Sequence, residues 1–363
     1  MSKLRMALIG CGRISSKHLE AIFENKDLVK LVACCDLIPQ RAEIAAEKVE
    51  KTLGYKPEVY TDFRKLLKRE DIDFVAIATP SGSHYEISIE AMEHSKNVLV
   101  EKPMALSTDH MNHMIELSKR KNLKLGVCFQ NRFNPPIQEL RKKIETGQFG
   151  RIFYGTISVR WNRNKEYYQQ APWRGTWEQD GGVLMNQSTH GIDLLQWMLG
   201  GKPKKVFALI KNFNHPYIEA EDFGVGIVEF ESGAVGIIEG TSNVFDKNLE
   251  ESLAIFGEFG TVKIGGLAVN RVEAWRFVGE EGHPFMNLPD PDTVYGKGHI
   301  PLYRDFCLSI IEGREPLVNG EEGRKAVEIV LGIYKSALEN KWVEFPVNFS
   351  TDQMKGVLWA KDF

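Results

Sequence analysis

Two side chains of this sequence are suited to moving a proton at a reacting hydroxyl. Lys102 stands in Val100-Glu101-Lys102-Pro103, directly after the apolar run Asn97–Val100. An ammonium there can hydrogen-bond the hydroxyl and steady a developing alkoxide, and burial among other cations can lower its pKa far enough for proton transfer. His190 closes Asn186-Gln187-Ser188-Thr189-His190, and an imidazole exchanges protons near neutral pH. Residues 186 and 190 are four apart, so a helical segment puts both on one face. Asn186 has no basic group; its amide can orient a hydroxyl or a water but cannot remove a proton. Lys102 and His190 are thus both candidates for taking the proton. Asp193 either binds a further hydroxyl or caps local structure.

The elements that must position these groups begin at the N-terminus. Arg5–Ile9 is a short apolar run that empties into Gly10-Cys11-Gly12-Arg13-Ile14-Ser15. Ile14, Leu19, Ile22 and Phe23 then recur at helical spacing. Gly10 and Gly12 allow a tight turn and let backbone N–H groups approach a pyrophosphate, and the following helix N-terminus adds favourable dipole. The third glycine of that fingerprint is Ser15 here, still small enough for close packing. A second strand, Leu31–Cys35, ends in Asp36. A carboxylate at that place accepts hydrogen bonds from the adenosine ribose hydroxyls and repels a 2′-phosphate, which favours NAD over NADP.

Strand and helix patterns alternate to about residue 130: a helix over Ile38–Leu53, another opened by Tyr60-Thr61-Asp62, a strand over Asp73–Thr79 and a helix over Tyr85–Met92. The strand Asn97–Val100, the helix Asp109–Lys119 and the strand Leu123–Phe129 continue the series, which specifies a doubly wound, mostly parallel sheet. After a helix at Ile137–Glu145 the pattern changes. Strands then follow nearly back to back: Ile152–Trp161, Lys205–Phe213, Gly224–Glu231, Ala234–Thr241, Glu251–Phe256, Thr261–Ile264 and Arg271–Val278. Helices are expected at Thr189–Leu199, Pro301–Ile311 and Gly320–Leu338. The fold class is therefore α/β, with a Rossmann domain over 1–130. A second α/β domain over 131–363 carries a large, open, mostly antiparallel sheet.

Composition sets outer limits. The 363 residues are 43% hydrophobic and 26% charged with net charge −3, ordinary for globular proteins and without the basic field of a nucleic-acid binder. No apolar run is long enough to span a bilayer. Cys11, Cys34, Cys35, Cys128 and Cys307 are odd in number and lack CxxC spacing, which fits reduced thiols in a cytoplasmic protein and no metal site.

The motifs together resemble the Gfo/Idh/MocA oxidoreductases. They are Gly10-Cys11-Gly12, Ala78-Thr79-Pro80-Ser81-Gly82-Ser83-His84, Glu101-Lys102-Pro103, and Gly181-Gly182 leading to His190-Gly191-Ile192-Asp193. The resemblance implies NAD or NADP, oxidation of a sugar or polyol hydroxyl, and a homodimer or homotetramer paired through the open C-terminal sheet. It implies cofactor contacts at Gly10, Gly12, Arg13, Ile14, Asp36, Thr79, Pro80, His84, Glu101 and Gln130, with Glu101 on the nicotinamide ribose hydroxyls. It implies a cis bond before Pro103, and places His299 where it can line the cleft. Many dehydrogenases of the family carry aspartate where Asn186 stands, so the proton chemistry falls to Lys102 and His190.

Substrate choice rests on Arg160–Asp180, where Arg163, Tyr167, Tyr168, Trp173 and Arg174 interleave. Such a segment either clamps a diphosphate and stacks a ring or packs as scaffold for a free polyol. Gly12-Arg13-Ile14-Ser15-Ser16-Lys17-His18 and the box from Asn186 to His190 resemble the bacterial UDP-N-acetyl-2-amino-2-deoxyglucuronate dehydrogenases. That implies oxidation at C3 of UDP-N-acetylglucosaminuronate for surface polysaccharide, with Lys17, Arg163 or Arg174 meeting the uronate. The alternatives are a myo-inositol or free-sugar dehydrogenase, and a non-catalytic regulator that senses NAD or sugar.

Overall fold

The computed structural model describes residues 3–283, 285–286, 288–289, 294–357 and 359. The chain opens with β1 (Leu4–Ile9), α1 (Ser15–Glu24), β2 (Val29–Cys35), α2 (Pro39–Leu53), β3 (Glu58–Tyr60) and α3 (Phe63–Leu67). There follow β4 (Phe74–Ile77), α4 (His84–Glu93), β5 (Asn97–Glu101), α5 (Thr108–Arg120) and β6 (Leu125–Cys128). The next stretch holds α6 (Pro135–Glu145), β7 (Ile152–Arg160), α7 (Lys165–Gln169), α8 (Val183–Asn186) and α9 (Thr189–Met198). Then come β8 (Pro203–Lys211), β9 (Phe223–Phe230), β10 (Val235–Thr241), β11 (Glu250–Gly257), β12 (Gly260–Gly265), β13 (Arg271–Phe277) and β14 (Glu280–Glu281). The last elements are α10 (His299–Glu312), α11 (Gly320–Glu339) and β15 (Val343–Glu344).

These residues form two compact units. The first runs to Ala105, resumes at Asp109–Gln130 and takes in Lys297–Arg324; the second holds Leu106–Thr108, Asn131–Gly296 and the chain from Lys325. A single division at 130/131 therefore misses that α10 returns to the first unit. The reason is apolar burial. Gly126 leaves room for the Phe306 ring, which meets Phe74 edge-on at 5.4 Å.

The first unit is a six-stranded sheet in the order β3-β2-β1-β4-β5-β6, with every pair parallel. β4 and β6 are buried throughout, as expected of strands covered by helices on both faces. Strand order reverses between β1 and β4, and ligands of such sheets bind where the carboxyl ends diverge. Ile9 pairs with both Cys35 and Ile77, so Gly10, Asp36 and Ala78 follow three adjacent strand ends.

The second unit carries a nine-stranded sheet in the order β14-β13-β12-β11-β7-β10-β9-β8-β15. Its β7–β10 pair is parallel and the others antiparallel. One face is covered by α8 and α9. Glycines let those helices lie close: a Cβ at Gly155 or Gly236 would meet Leu195, and one at Gly224 or Gly240 would meet Leu184. The opposite face alternates outward and bears Phe207, Ile227 and Ile237, directly opposite one another across β8, β9 and β10.

Candidate active site

The expected residues fall in two groups, one on each unit. On the first, Gly10 has φ +95°, and a Cβ there would sit 2.5 Å from the carbonyl group of Ala78. Only glycine fits that turn. Gly12 has open space where a side chain would go, which leaves its backbone approachable. Ser15 opens α1 and donates to the Gly12 carbonyl at 2.6 Å, tightening the loop in place of a third glycine. Asp36 accepts from the backbone N–H groups of Cys11 (2.8 Å) and Ile38 (2.9 Å), so it is fixed at the end of β2 in a half-buried position. Arg13 is exposed and Ile14 half-buried; with Arg41 and Lys48, Arg13 lines a cleft of about 170 Å³ beside Gly12. A constrained glycine turn, an open second glycine and an acidic strand end fit a dinucleotide with a free ribose 2′-hydroxyl.

Lys102 follows β5, half-buried, and the Lys102–Pro103 bond is cis. His84, the first residue of α4, is buried between two turns, its Nδ1 2.8 Å from the Pro103 carbonyl and its Nε2 2.9 Å from that of Thr79. Burial lowers its pKa, so the neutral ring donates to one carbonyl at a time and ties the Thr79–Pro80 turn to the lysine's own. Thr79 and Pro80 are half-buried and Gln130 is buried at the start of a short 3-10 turn. Glu101 departs from expectation. Its carboxylate is buried and committed to His18 and His299, each at 3.1 Å, and not presented as an open acceptor for ribose hydroxyls. His299 likewise sits behind Glu101, 2 % exposed, instead of lining a cleft. Lys17 pairs with Glu20 on α1 at 2.8 Å.

On the second unit, His190 is buried in the first turn of α9. The helix expected to carry Asn186 and His190 together is broken: α8 ends at Asn186 and α9 begins at Thr189. Asn186 donates to Asp180, whose other oxygen accepts from the Gly175 N–H at 2.8 Å. Gln187 bonds both the Asn186 amide oxygen (3.3 Å) and the Tyr167 hydroxyl (3.2 Å). Arg163 and Arg174 come together around Tyr167, their guanidinium carbons 5.0 Å and 4.3 Å from its ring centre. Arg174 donates to the Tyr167 hydroxyl at 2.6 Å; Arg163 donates to Asn248 at 3.0 Å. The Nε–H of each is buried and makes no hydrogen bond among the described residues.

Asp193, which the sequence left between a substrate hydroxyl and a local structural role, is held by a buried partner. Arg132 grips it with Nε at 2.7 Å and Nη2 at 2.6 Å, and the pair is all but inaccessible. Sequence reasoning also missed Glu221, Asp222 and His215. His215 lies 2.8 Å from Asp222 and 2.7 Å from the Arg163 carbonyl, so this dyad holds the arginine-bearing loop. Burial opposes the Asp222 charge, but hydrogen bonds from His215 and two backbone N–H groups keep its carboxyl below the ordinary value. Glu221 lies flat against Gly182, where a Cβ would come 1.9 Å from its Oε2; this close approach accounts for the glycine. The adjacent acids Glu221-Asp222, directly before a strand of alternating apolar residues, were the available signal.

Burial pushes the Glu221 carboxyl up to about 8, from an ordinary 4.5. The folded state then binds more protons than the unfolded chain between those values, so stability falls as pH rises through that window. The slope approaches about 1.4 kcal/mol per pH unit. Glu221→Gln flattens it, measured by denaturant unfolding at a series of pH values; a variant with the wild-type slope refutes the assignment.

Residues 4–129 match the family described as "Oxidoreductase family, NAD-binding Rossmann fold", and residues 137–263 match "GFO/IDH/MocA C-terminal domain". The fold is shared with the WlbA dehydrogenase from Bordetella pertussis, solved in complex with NADH and UDP-GlcNAcA. The two are 35% identical with a TM-score of 0.83, over 96% of this chain and 100% of that one. The NAD(+)-dependent scyllo-inositol 2-dehydrogenase of Bacillus subtilis (strain 168) is 26% identical over 90% of this chain and 92% of its own length. Levoglucosan dehydrogenase of Pseudarthrobacter phenanthrenivorans is 26% identical, over 84% of this chain and 87% of its own length. With its glycine turn, acidic strand end and two matching domains, the chain belongs to the Gfo/Idh/MocA oxidoreductases, as an NAD-dependent enzyme acting on the CH–OH group of a sugar or polyol.

Proposed function

We propose that the protein oxidises the C3 hydroxyl of UDP-N-acetylglucosaminuronate, in the cytoplasm, during synthesis of a surface-polysaccharide sugar. The observation that carries this is the Arg163–Tyr167–Arg174 stack, where two guanidinium groups each keep a buried N–H in reserve. Planar donors of this kind suit a diphosphate or a uronate, and the aromatic between them suits a base or sugar ring. A relative 35% identical was solved with UDP-GlcNAcA, which supports the same class of substrate.

When bound, NAD supplies the hydride acceptor. Gly10 and Gly12 hold its pyrophosphate against the start of α1, and Asp36 takes the adenosine ribose hydroxyls. Lys102 and His190 handle the hydroxyl proton, Lys102 steadying the oxygen as charge develops on it. Asn186, fixed by Asp180 and Gln187, orients the sugar.

The test is NADH formation with NAD and UDP-N-acetylglucosaminuronate, with and without a 2-oxoacid acceptor, against myo-inositol and glucose. UDP alone should also raise the unfolding temperature, because a ligand that binds the folded state stabilises it by mass action. Turnover of inositol or glucose only, with no response to UDP, overturns the nucleotide-sugar reading in favour of the activity borne by the scyllo-inositol relative. No turnover of any of these, with NAD bound, favours the sensing role.

We also propose that the uncovered sheet face pairs two copies of the chain. The row Phe207–Ile227–Ile237 is flanked by Leu209 and by Tyr154 stacked on Phe256 at 4.4 Å, an apolar patch of the kind that marks an interface. Sedimentation should give a dimer or tetramer, and Ile227→Lys should shift it toward monomer; a monomeric wild type refutes the pairing.

A further inference from the structure

Among the described residues, the two stacked arginines of the second unit meet only neutral acceptors. Arg163 Nη1 donates to the Asn162 carbonyl at 2.6 Å and to Asn248 Oδ1 at 3.0 Å. Arg174 Nη1 donates to the Tyr167 hydroxyl at 2.6 Å. Neither guanidinium is in an ion pair with a described residue, and burial pulls the Arg163 pKa below its ordinary value. A cation taken partly out of water onto neutral acceptors gains most from an incoming anion, which supplies the missing counter-charge.

Carboxylates do lie close to both arginine segments, but each is committed to other donors. Asp222 directly precedes β9, and its N–H donates to the Lys211 carbonyl at the end of β8 (3.0 Å), so the sheet fixes it. Its Oδ1 accepts the Phe213 N–H at 2.9 Å and its Oδ2 the Asn214 N–H at 2.8 Å. His215 bridges from there to the arginine: Nδ1 is 2.8 Å from Asp222 Oδ2 and Nε2 is 2.7 Å from the Arg163 carbonyl oxygen. The Arg163 N–H donates to the Ser242 carbonyl at 3.0 Å, so both main-chain polar groups of Arg163 are pinned. On the other side, Asp180 accepts the N–H of Gly175, the residue after Arg174, and the amide of Asn186. His215, Asp222 and Asp180 are 0–2 % exposed. Asp222 thus supports Arg163 through His215 without neutralising its guanidinium.

We propose that His215 and Asp222 are positioning residues for substrate: they fix the main chain of Arg163 so that its guanidinium, stacked on Tyr167, meets the anionic oxygens of the substrate, diphosphate or carboxylate. The proposal rests on the reading that the Arg163–Tyr167–Arg174 stack holds a nucleotide sugar.

The experiment compares full-length wild type with His215→Phe and His215→Gln. Each is titrated calorimetrically with UDP, UDP-N-acetylglucosamine and UDP-N-acetylglucosaminuronate, and assayed for turnover of the last. His215→Phe keeps a ring against Tyr168 and Tyr217, whose centres lie 5.3 Å and 5.5 Å from that of His215, and loses both hydrogen bonds. Its affinity for the uronate should fall about tenfold, with KM rising in step, the reach of one misplaced charge-assisted hydrogen bond. Its kcat and NADH affinity should stay within about threefold of wild type, because the interaction lost is made equally in the ground state and the transition state. His215→Gln, whose amide N–H still reaches one partner, should recover most of the loss. A loss shared by all three ligands puts the diphosphate on Arg163, and a loss confined to the uronate puts the carboxylate there; either supports the proposal. Should His215→Phe fail to fold, Asp222→Asn leaves His215 a weaker partner and should move affinity the same way by a smaller factor. Wild-type affinity for all three ligands in whichever variant folds overturns the proposal. So does an equal loss of kcat and NADH affinity, which marks a purely structural role. Failure of the underlying reading shows separately, as a wild type that binds none of the three ligands, and it removes this proposal too.

Discussion

Lys102→Ala is expected to lower kcat by about 10²- to 10⁴-fold, the usual contribution of a positioned proton-transfer group, while NADH affinity stays within a few-fold of wild type. The separation comes from where the features proposed to hold the cofactor lie in the sheet. Gly10, Gly12 and Asp36 lie at the ends of β1 and β2, whereas Lys102 follows β5, two strands away from β1 in the sheet order. Truncating the lysine leaves the glycine turn and the acidic strand end intact. It also leaves in place the His84 ring that spans the Thr79 and Pro103 carbonyls. The check is stopped-flow hydride transfer alongside fluorescence titration with NADH. Loss of NADH binding in step with kcat would make Lys102 a cofactor contact, and full turnover would remove it from the chemistry. Lys102→Arg should rescue little, because a guanidinium keeps its proton at any working pH and is too broad to replace an ammonium.

Much of this is legible in the amino-acid order alone, and the reason is local. The first unit is built from strands buried on both faces alternating with amphipathic helices, and the residue types at the strand ends are dictated by the turns they enter. The strand-end places of Gly10 and Asp36 can be read because backbone geometry and charge at a strand end act within a few residues. The second unit is legible as strands for the same reason: β8, β9 and β10 alternate buried and open positions. Long-range pairing is not. His299 and Tyr303 lie four apart on α10, and His18 sits on the buried face of α1 beside Leu19 and Ile22. A histidine within an apolar helical stripe says that it needs a buried partner without saying which one. Glu101 answers from 83 residues away on one side and 198 on the other. Asp193 misleads in the same way, because its partner lies 61 residues earlier in the chain.

That partnership sets the other large effect. Removing one member of the Arg132–Asp193 pair leaves a full charge in a place with no water, which costs about 3–5 kcal/mol. Asp193→Ala should therefore lower the unfolding temperature by on the order of 10 °C. The pair is 0% and 1% exposed and joined by two short charge-assisted bonds, so neither salt nor side-chain repacking can offset the loss. Gln196 adds a bond to the same carboxylate at 3.2 Å, and Arg132 also stacks on Trp197 at 4.7 Å. Gln196 and Trp197 both lie on α9, so the ion pair fixes that helix, and with it His190 in its first turn. Replacing both charges together, with Arg132→Met and Asp193→Leu, should cost much less than either single change, because no unpaired charge remains. A substrate ligand would behave differently. If Asp193→Ala melts like wild type and only KM rises, the carboxylate meets a sugar hydroxyl after all, and the buried pair is not what orients His190.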